Sequence, residues 1–245
     1  MVEGCGVYLS NIEKVLREIE TEEGANIEKG AALLARSIRE GGLVHVFGSG
    51  HSHILAEEAF FRAGGLACIS PMLEPSLMLH NGALKSSMLE NCGDLAEAVF
   101  EHFQPKPPDS LLLFSNSGVN PVVLRVAALA REREVPLIGV GSRKYIEYLM
   151  KEKGCGSIVE YCDVFIDNKG EVGDACVEIE GLGGKMAPTS TVAGAVILHL
   201  LLIETVSLLL RDGFMPPVFV SNHLPGGRER NERTVASYRG RVKML

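Results

Sequence analysis

The sequence lacks the features that mark several large classes of protein. It has no excess of basic residues, because 24 lysines and arginines stand against 31 aspartates and glutamates, for a formal charge of −7. Proteins that bind nucleic acid usually carry a basic surface, so we expect no nucleic-acid partner. No two of the six cysteines are spaced as Cys-x-x-Cys, which argues against a zinc finger or a disulfide framework. We therefore expect reduced thiols, as in cytosolic proteins.

Clear targeting and membrane signals are also missing. The first residues contain no basic segment followed by an apolar one, so we expect no secretory signal and a cytoplasmic protein. The most apolar stretch, residues 192–210, is barely long enough to cross a bilayer and is interrupted by His199 and Glu204. We interpret it as a helix that is buried on most sides, and we predict no membrane partner.

Hydrophobic residues make up 46% of the 245 residues, which is enough for one well-buried core. We find no internal repeat and no low-complexity linker. We therefore predict a single domain over residues 1–245. It consists of N-terminal helices over 8–40, a core over 41–211 and a C-terminal tail over 212–245.

Five short apolar runs alternate with helical segments along the core. They cover residues 43–47, 66–69, 110–114, 136–140 and 164–166. Alternation of this kind is typical of a parallel sheet that is covered on both faces. The predicted fold class is α/β, with a doubly wound parallel five-stranded sheet and helices on both faces. Residues 175–179 predict an extra strand, and residues 72–90 mix helix and loop signals.

Ligands of open parallel sheets bind outside the carboxyl ends of the strands, so the turn after Phe114 is a candidate site. Its sequence, Ser115-Asn116-Ser117-Gly118-Val119-Asn120, brings hydroxyls, an amide and backbone N–H groups to the start of a helix. Unpaired amides and the helix dipole favour an anion such as phosphate there. Ser117 or Asn120 could instead simply cap the helix, with Pro121 at its first position. The turn offers more polar groups than one cap requires, which favours binding.

The turn after Phe47 begins like a dinucleotide-binding fingerprint. The third glycine of Gly-x-Gly-x-x-Gly is replaced by His53, and no acidic residue closes the next strand, so we predict no nicotinamide cofactor. His51 and His53 would point to different faces of a helix, and no third ligand is evident from the spacing. We therefore predict no metal. Hydrogen bonding to substrate hydroxyls, or ordinary helix-start polarity, explains these histidines better.

Three ionisable residues could carry proton chemistry. Glu57 and Glu58 follow the glycine turn by one to two helical turns, and His199 lies within the apolar C-terminal helix. A solvated glutamate face and a hydrogen-bonded core histidine are the alternatives, and for any single residue they are favoured by the bare sequence.

Residues 46–52, 114–121 and 187–191 resemble, in order and spacing, the three ligand-loop motifs of sugar isomerase (SIS) domains. This resemblance spans about residues 30–211. Over nearly the whole chain, including 56–65 and 217–222, the sequence is most similar to small uncharacterised SIS proteins often labelled phosphoheptose isomerases. The resemblance implies a flavodoxin-like sandwich that binds a sugar phosphate. It also implies a homodimer or homotetramer with sites completed across subunits.

The resemblance carries over to individual positions. Asn120 stands where a threonine is frequent, but its amide can still donate to phosphate. His199 falls near the histidine of the last helix in phosphoheptose isomerases, whereas their glutamate follows the first serine at a longer spacing than Glu57 or Glu58 does. The substrate-binding residues that we predict are Gly50, His51, Ser52, Ser115, Asn116, Ser117, Gly118, Asn120, Thr189, Ser190 and Thr191.

The leading hypothesis for function is an aldose–ketose isomerase of a phosphorylated sugar. Enediol chemistry needs a base and an acid, for which Glu57 or Glu58 and His199 are the candidates. The motifs at 117–121 and 187–191 also resemble N-acetylmuramic acid 6-phosphate etherases, so a lyase is an alternative. A non-catalytic sugar-phosphate sensor is a third.

Overall fold

A computed structural model describes residues 3–245, which form a central sheet, nine helices and a separate hairpin. The helices are α1 (Glu3–Glu22), α2 (Gly24–Arg39), α3 (His53–Ala59), α4 (Ala83–Leu89), α5 (Leu95–Phe103), α6 (Pro121–Glu132), α7 (Arg143–Lys153), α8 (Ser190–Arg211) and α9 (Gly227–Tyr238). The strands of the central sheet are β1 (Val44–Gly48), β2 (Ile69–Pro71), β3 (Ser110–Phe114), β4 (Leu137–Gly141) and β5 (Val164–Asp167). The hairpin consists of β6 (Ala175–Glu178) and β7 (Lys185–Pro188), which pair antiparallel.

The central sheet is parallel throughout, in the order β2-β1-β3-β4-β5. Alternate residues of each strand enter different cores. Leu112 and Phe114 pack in one core with residues of α2, α3 and α8, whereas Leu111 and Leu113 pack in the other with residues of α5 and α6. The predicted fold class is therefore confirmed: the sheet is doubly wound, five-stranded and covered on both faces.

Residues 66–69 are only partly the second strand that the sequence predicts. The strand begins at Ile69, because the backbone before it pairs with the C-terminal segment instead. Ala67 donates to the carbonyl of Pro217, and Phe219 donates to that of Gly65, at 2.8 and 2.9 Å. The predicted tail is thus attached to the sheet edge, and it continues into α9.

Helix α8 corresponds to the apolar stretch of the sequence. Among residues 3–245, this helix alone is long and apolar enough to cross a membrane by length and composition. In the structure it packs against α1, α2 and α3, with Ile197, Leu198 and Leu201 fully buried. Only a few of its apolar side chains, such as Ile203, are exposed.

Candidate functional site

A cavity that opens to solvent lies where β1 and β3 end. The order in which strands are added to the sheet reverses here, since β2 lies on one side of β1 and all later strands lie on the other. Open α/β sheets bind ligands at such switch points, because the loops that leave adjacent strands diverge there and leave a crevice. The residues that line the cavity are His51, Ser52, Leu55, Phe114, Ser115, Asn116, Val140, Asn168, Ser190, Thr191 and Gly194.

The Ser115 turn forms one wall of the cavity. The buried Ser115 hydroxyl accepts a hydrogen bond from the Gly118 amide at 3.1 Å, which leaves its own proton free to donate. Within residues 3–245, the backbone amides of Asn116, Ser117 and Asn120 have no hydrogen-bond acceptor. Three unpaired N–H groups and a hydroxyl donor therefore occur in one short turn, and turns with several free N–H groups can bind anions.

The start of α6 differs in detail from the prediction. Pro121 occupies the first helical position, as predicted, but the Asn120 side chain makes no capping hydrogen bond. The Val122 amide donates to the carbonyl of Glu90 at 3.2 Å. Because Pro121 has no N–H and Val122 is already paired, the first two positions of the helix offer no free donor.

The glycine turn after β1 forms a second wall. Gly50 has a φ of 56°, and a Cβ at this position would lie 3.1 Å from Oε1 of Glu90. The same carboxylate oxygen accepts a 2.5 Å hydrogen bond from the Ser49 hydroxyl. Glu90 thus holds the turn that presents His51 and Ser52 to the cavity. The sequence interpretation missed it, because the signals over residues 72–90 are mixed.

Asn168 is a second residue that the sequence interpretation missed. It follows β5, is buried, and donates from Nδ2 to Oδ1 of Asn116 at 2.9 Å, while its own Oδ1 accepts from the Gly170 amide. These bonds orient the Asn116 amide so that its NH₂ remains available to a ligand. The rule that directed attention to the ends of β1 and β3 applies equally to β5 and would have found this residue.

An acidic side chain occupies the N-terminus of α8. Asp174 accepts hydrogen bonds from the amides of Thr189 and Ser190, at 3.1 and 3.0 Å, and from the Ser190 hydroxyl at 2.5 Å. A carboxylate is favourable there because the unpaired amides and the helix dipole attract negative charge. The Ser190 hydroxyl is therefore already committed. Thr191 offers a hydroxyl that lines the cavity, and the hydroxyl of Thr189 is buried without a partner among residues 3–245.

Two of the three predicted proton-transfer residues, Glu58 and His199, are brought together, but outside the cavity lining. Nε2 of His199 lies 2.9 Å from Oε1 of Glu58, and the Arg62 guanidinium contacts the same oxygen. Burial, together with the positive charge of Arg62, lowers the pKa of His199 from its ordinary value. At the cavity lining, the side chain of Leu55 lies so close to Gly194 that a Cβ on this glycine would be 2.5 Å away. Glu57 points elsewhere and approaches His53.

Comparison with known proteins agrees with this architecture. Residues 7–142, more than half of the chain, match the SIS domain family. The chain belongs to that family. A UPF0309 protein of Geobacillus kaustophilus is 38% identical to this SIS domain protein over 239 residues, which cover 97% of this chain and 95% of the relative.

Two solved structures share the fold of this SIS domain chain at low identity. Phosphoheptose isomerase from Neisseria gonorrhoeae superposes with a TM-score of 0.51 at 14% identity, covering 83% of this chain and 96% of that one. The NanR protein of Vibrio vulnificus, solved with ManNAc-6P, gives a TM-score of 0.50 at 15% identity, covering 98% and 70%. At these identities the likeness establishes the fold alone.

The SIS domain structure separates the predicted site residues into two groups. Those that line the common cavity are His51, Ser52, Ser115, Asn116, Ser190 and Thr191. Those that lie outside its lining are Gly50, Glu57, Glu58, Ser117, Gly118, Asn120, Thr189 and His199. The distinction follows from side-chain direction, because neighbours in a turn or helix point to different sides. Gly118, for example, is buried against Ile146 and Ile158.

Proposed function

We propose that this SIS domain chain binds a phosphorylated sugar in the cavity at the ends of β1 and β3. The observation that carries the proposal is the part of the Ser115 turn that lines the cavity, namely the buried Ser115 hydroxyl and Asn116 with its unpaired backbone amide. The amides of Ser117 and Asn120, further along the same turn, are also unpaired. These donors suit a phosphate group. No lysine or arginine lines the cavity, so the phosphate would be held by hydrogen bonds and not by an ion pair.

The other polar residues that line the cavity suit the sugar. Ser52 and Thr191 offer hydroxyl groups, and His51 offers a ring nitrogen. Such neutral donors and acceptors match sugar hydroxyls, which need partners in both directions. The fold shared with a phosphoheptose isomerase, and with a NanR protein solved in complex with ManNAc-6P, supports the same ligand class.

The reaction that we propose is aldose–ketose isomerisation, with Glu58 as the base and His199 as its partner. Glu58 is preferred over Glu57, because Glu58 alone contacts His199. Enediol chemistry needs two such groups within reach of adjacent carbons. Glu58 lies one helical turn beyond Leu55 on α3, or about 4.5 Å further along the axis, so the reacting end of the sugar must extend past Leu55.

A binding experiment tests the ligand class. Wild type is titrated calorimetrically with a panel of sugar phosphates and with the matching unphosphorylated sugars, and we expect binding only of the phosphorylated forms. Ser115→Ala and Thr191→Val should each weaken binding by roughly tenfold, as expected for loss of one hydrogen bond to a charged or polar group. Thr234→Val is the matched control, because its hydroxyl bonds only to the Arg230 carbonyl on α9. Equal affinity in all variants would show that the ligand does not bind in this cavity.

A turnover experiment tests the reaction on whichever sugar phosphate binds. Glu58→Gln and His199→Ala should each reduce kcat by at least about 100-fold, the usual effect of losing a general acid or base. Glu204→Gln on α8 is the control, since this carboxylate pairs only with Arg211 on the surface. Full turnover in both test variants would reject the assignment. Release of D-lactate would identify an etherase, and binding without any turnover would identify a sensor.

A further inference from the structure

We propose that His53, Glu57 and His80 form a binding site for one divalent transition-metal ion of the zinc type. Nε2 or Nδ1 of each histidine and a carboxylate oxygen of Glu57 all lie within 4.8 Å of one another. The site is separate from the phosphate turn and does not depend on the proposed function. It replaces our sequence-based expectation of no metal, which considered His51 with His53 and found no third ligand.

His53 is already oriented as a metal ligand. Its side chain is 7% exposed, and its Nδ1 is hydrogen-bonded to the Gly50 carbonyl. A carbonyl oxygen can only accept, so Nδ1 carries the proton and Nε2 presents a lone pair. A backbone partner on the second ring nitrogen is the usual support of a metal-bound histidine, because it fixes both the tautomer and the ring orientation.

The other two ligands approach His53 from different elements. Glu57 lies four residues later on the same face of α3, with Oε1 at 3.6 Å from Nε2 of His53. His80 comes from the short 3₁₀ turn at Leu79–Asn81, with its ring 5.9 Å from that of His53. A His–Glu pair on one helix face would not by itself indicate a metal site. The second imidazole, which comes from a distant part of the chain, adds the third ligand.

The distances suit a tetrahedral ion after small side-chain movements. Metal bonds of about 2.0–2.1 Å place tetrahedral ligand atoms roughly 3.3 Å apart, so the widest pair must close by about 1.5 Å. Glu57 and His80 are exposed and free to move, while His53 is fixed. Two imidazoles and one carboxylate favour zinc and its neighbours over magnesium or calcium, and they leave a fourth position open to water or another ligand.

A metal ion at this location would connect two segments of the chain. His53 begins α3 directly after His51 and Ser52, which line the cavity, and His80 belongs to the segment that leads to Glu90. An ion at this point would join that segment to α3, next to the glycine turn. Metal binding should therefore raise the stability of the folded chain, since an unfolded chain has no assembled site.

The test is a zinc titration of the chelator-treated full chain, with the thiols alkylated so that Cys92 and the other cysteines cannot bind. We expect one zinc per chain by calorimetry, a raised Tm, and no effect of magnesium at the same concentration. His80→Ala and Glu57→Gln should each weaken zinc at least about tenfold, because each removes one of three protein ligands. His223→Ala, an exposed histidine outside the cluster, is the control and should bind as wild type does.

His80→Ala is the decisive variant, because the exposed side chain of His80 can be removed without disturbing the core. Circular dichroism checks that the variant is folded. Absence of zinc binding by the wild type would overturn the proposal. So would unchanged affinity in a folded His80→Ala variant, or an equal loss in the His223→Ala control.

Discussion

At the scale of single residues, Gly118 is a position of the Ser115 turn that requires glycine. Its φ is 60°, and a Cβ would lie 2.6 Å from Cδ1 of Ile146. Both the backbone conformation and the packing therefore exclude a side chain. Gly154, at the end of α7, has a similar φ of 62°, but no atom lies within 4 Å of its Cβ position.

The two glycines allow a matched prediction. Gly154→Ala should cost about 1 kcal/mol, which is the conformational penalty of a left-handed alanine. Gly118→Ala should cost about 1–3 kcal/mol more, because it also overpacks the core beside Ile146. Urea unfolding of both variants measures the difference. Equal losses would mean that Ile146 moves aside without cost.

Only part of the candidate site could be predicted from the sequence. Ser115 was predictable, because it follows an apolar strand and precedes a glycine and a helix start. That Ser115 lines the cavity and Ser117 does not could not be predicted, since both hydroxyls occur in the same turn. Side-chain direction within a turn depends on the surrounding packing, which a linear pattern does not contain.

At the scale of elements, Asp109 joins the starts of β1 and β3. Its buried carboxylate accepts hydrogen bonds from the amides of Leu43 and Lys106, at 2.7 and 3.2 Å, and lies 3.3 Å from Nε2 of His45. Burial raises the pKa of this carboxyl, but the hydrogen bonds from His45 and the two amides outweigh it and hold the pKa below its ordinary value.

Asp109→Asn should therefore destabilise the fold by about 1–3 kcal/mol at neutral pH. A folded pKa below the unfolded value of about 3.9 means that the ionised carboxylate contributes its full stability above that pH. This contribution is lost as the pH falls through the folded pKa. Chemical unfolding should show that the difference in unfolding free energy between wild type and variant decreases from pH 7 to pH 3. Asp94→Asn is the control, because the exposed Asp94 makes no capping bond. A difference between wild type and Asp109→Asn that does not change with pH would contradict the predicted pH dependence.

Most elements were predictable, and the exceptions have physical causes. The strands with continuous apolar runs, such as Ser110–Phe114, follow directly from composition and spacing. Helix α7 was missed because only Ile146 among its residues is buried, so the helical period of apolar residues is absent. Strand β7 was missed because its residues are largely exposed and its pairing with β6 is not local.

At the scale of the whole molecule, the C-terminal segment is part of the fold. Val242 is fully buried in the core that includes α2 and α8, and the Arg241 guanidinium donates to the Gly41 carbonyl. The sequence prediction placed residues 212–245 outside the core, as a C-terminal tail. The structure corrects this description for Val242 and for the segment that pairs with residues 64–67.

We predict that Val242→Asp destabilises the chain by about 3 kcal/mol or more, since it buries an unpaired charge. Met244→Asp, at an exposed side chain two residues later, should change stability by less than about 0.5 kcal/mol. Thermal unfolding of both variants provides the comparison. Similar melting temperatures would show that the end of the chain does not belong to the core.

The homodimer or homotetramer implied by the family resemblance stays a prediction. So does the expectation that the whole chain forms one domain.

The sequence by itself determined the fold class, the family and the position of a polar turn after β3. Apolar runs, glycine turns and helical spacing are local features that act over a few residues. Only the tertiary structure decided which polar side chains share a cavity, because β1, β3 and β5 meet there from distant parts of the chain. It likewise placed Glu58 against His199 outside that cavity, and it brought His80 to His53 and Glu57. Such contacts depend on long-range packing that no local pattern encodes.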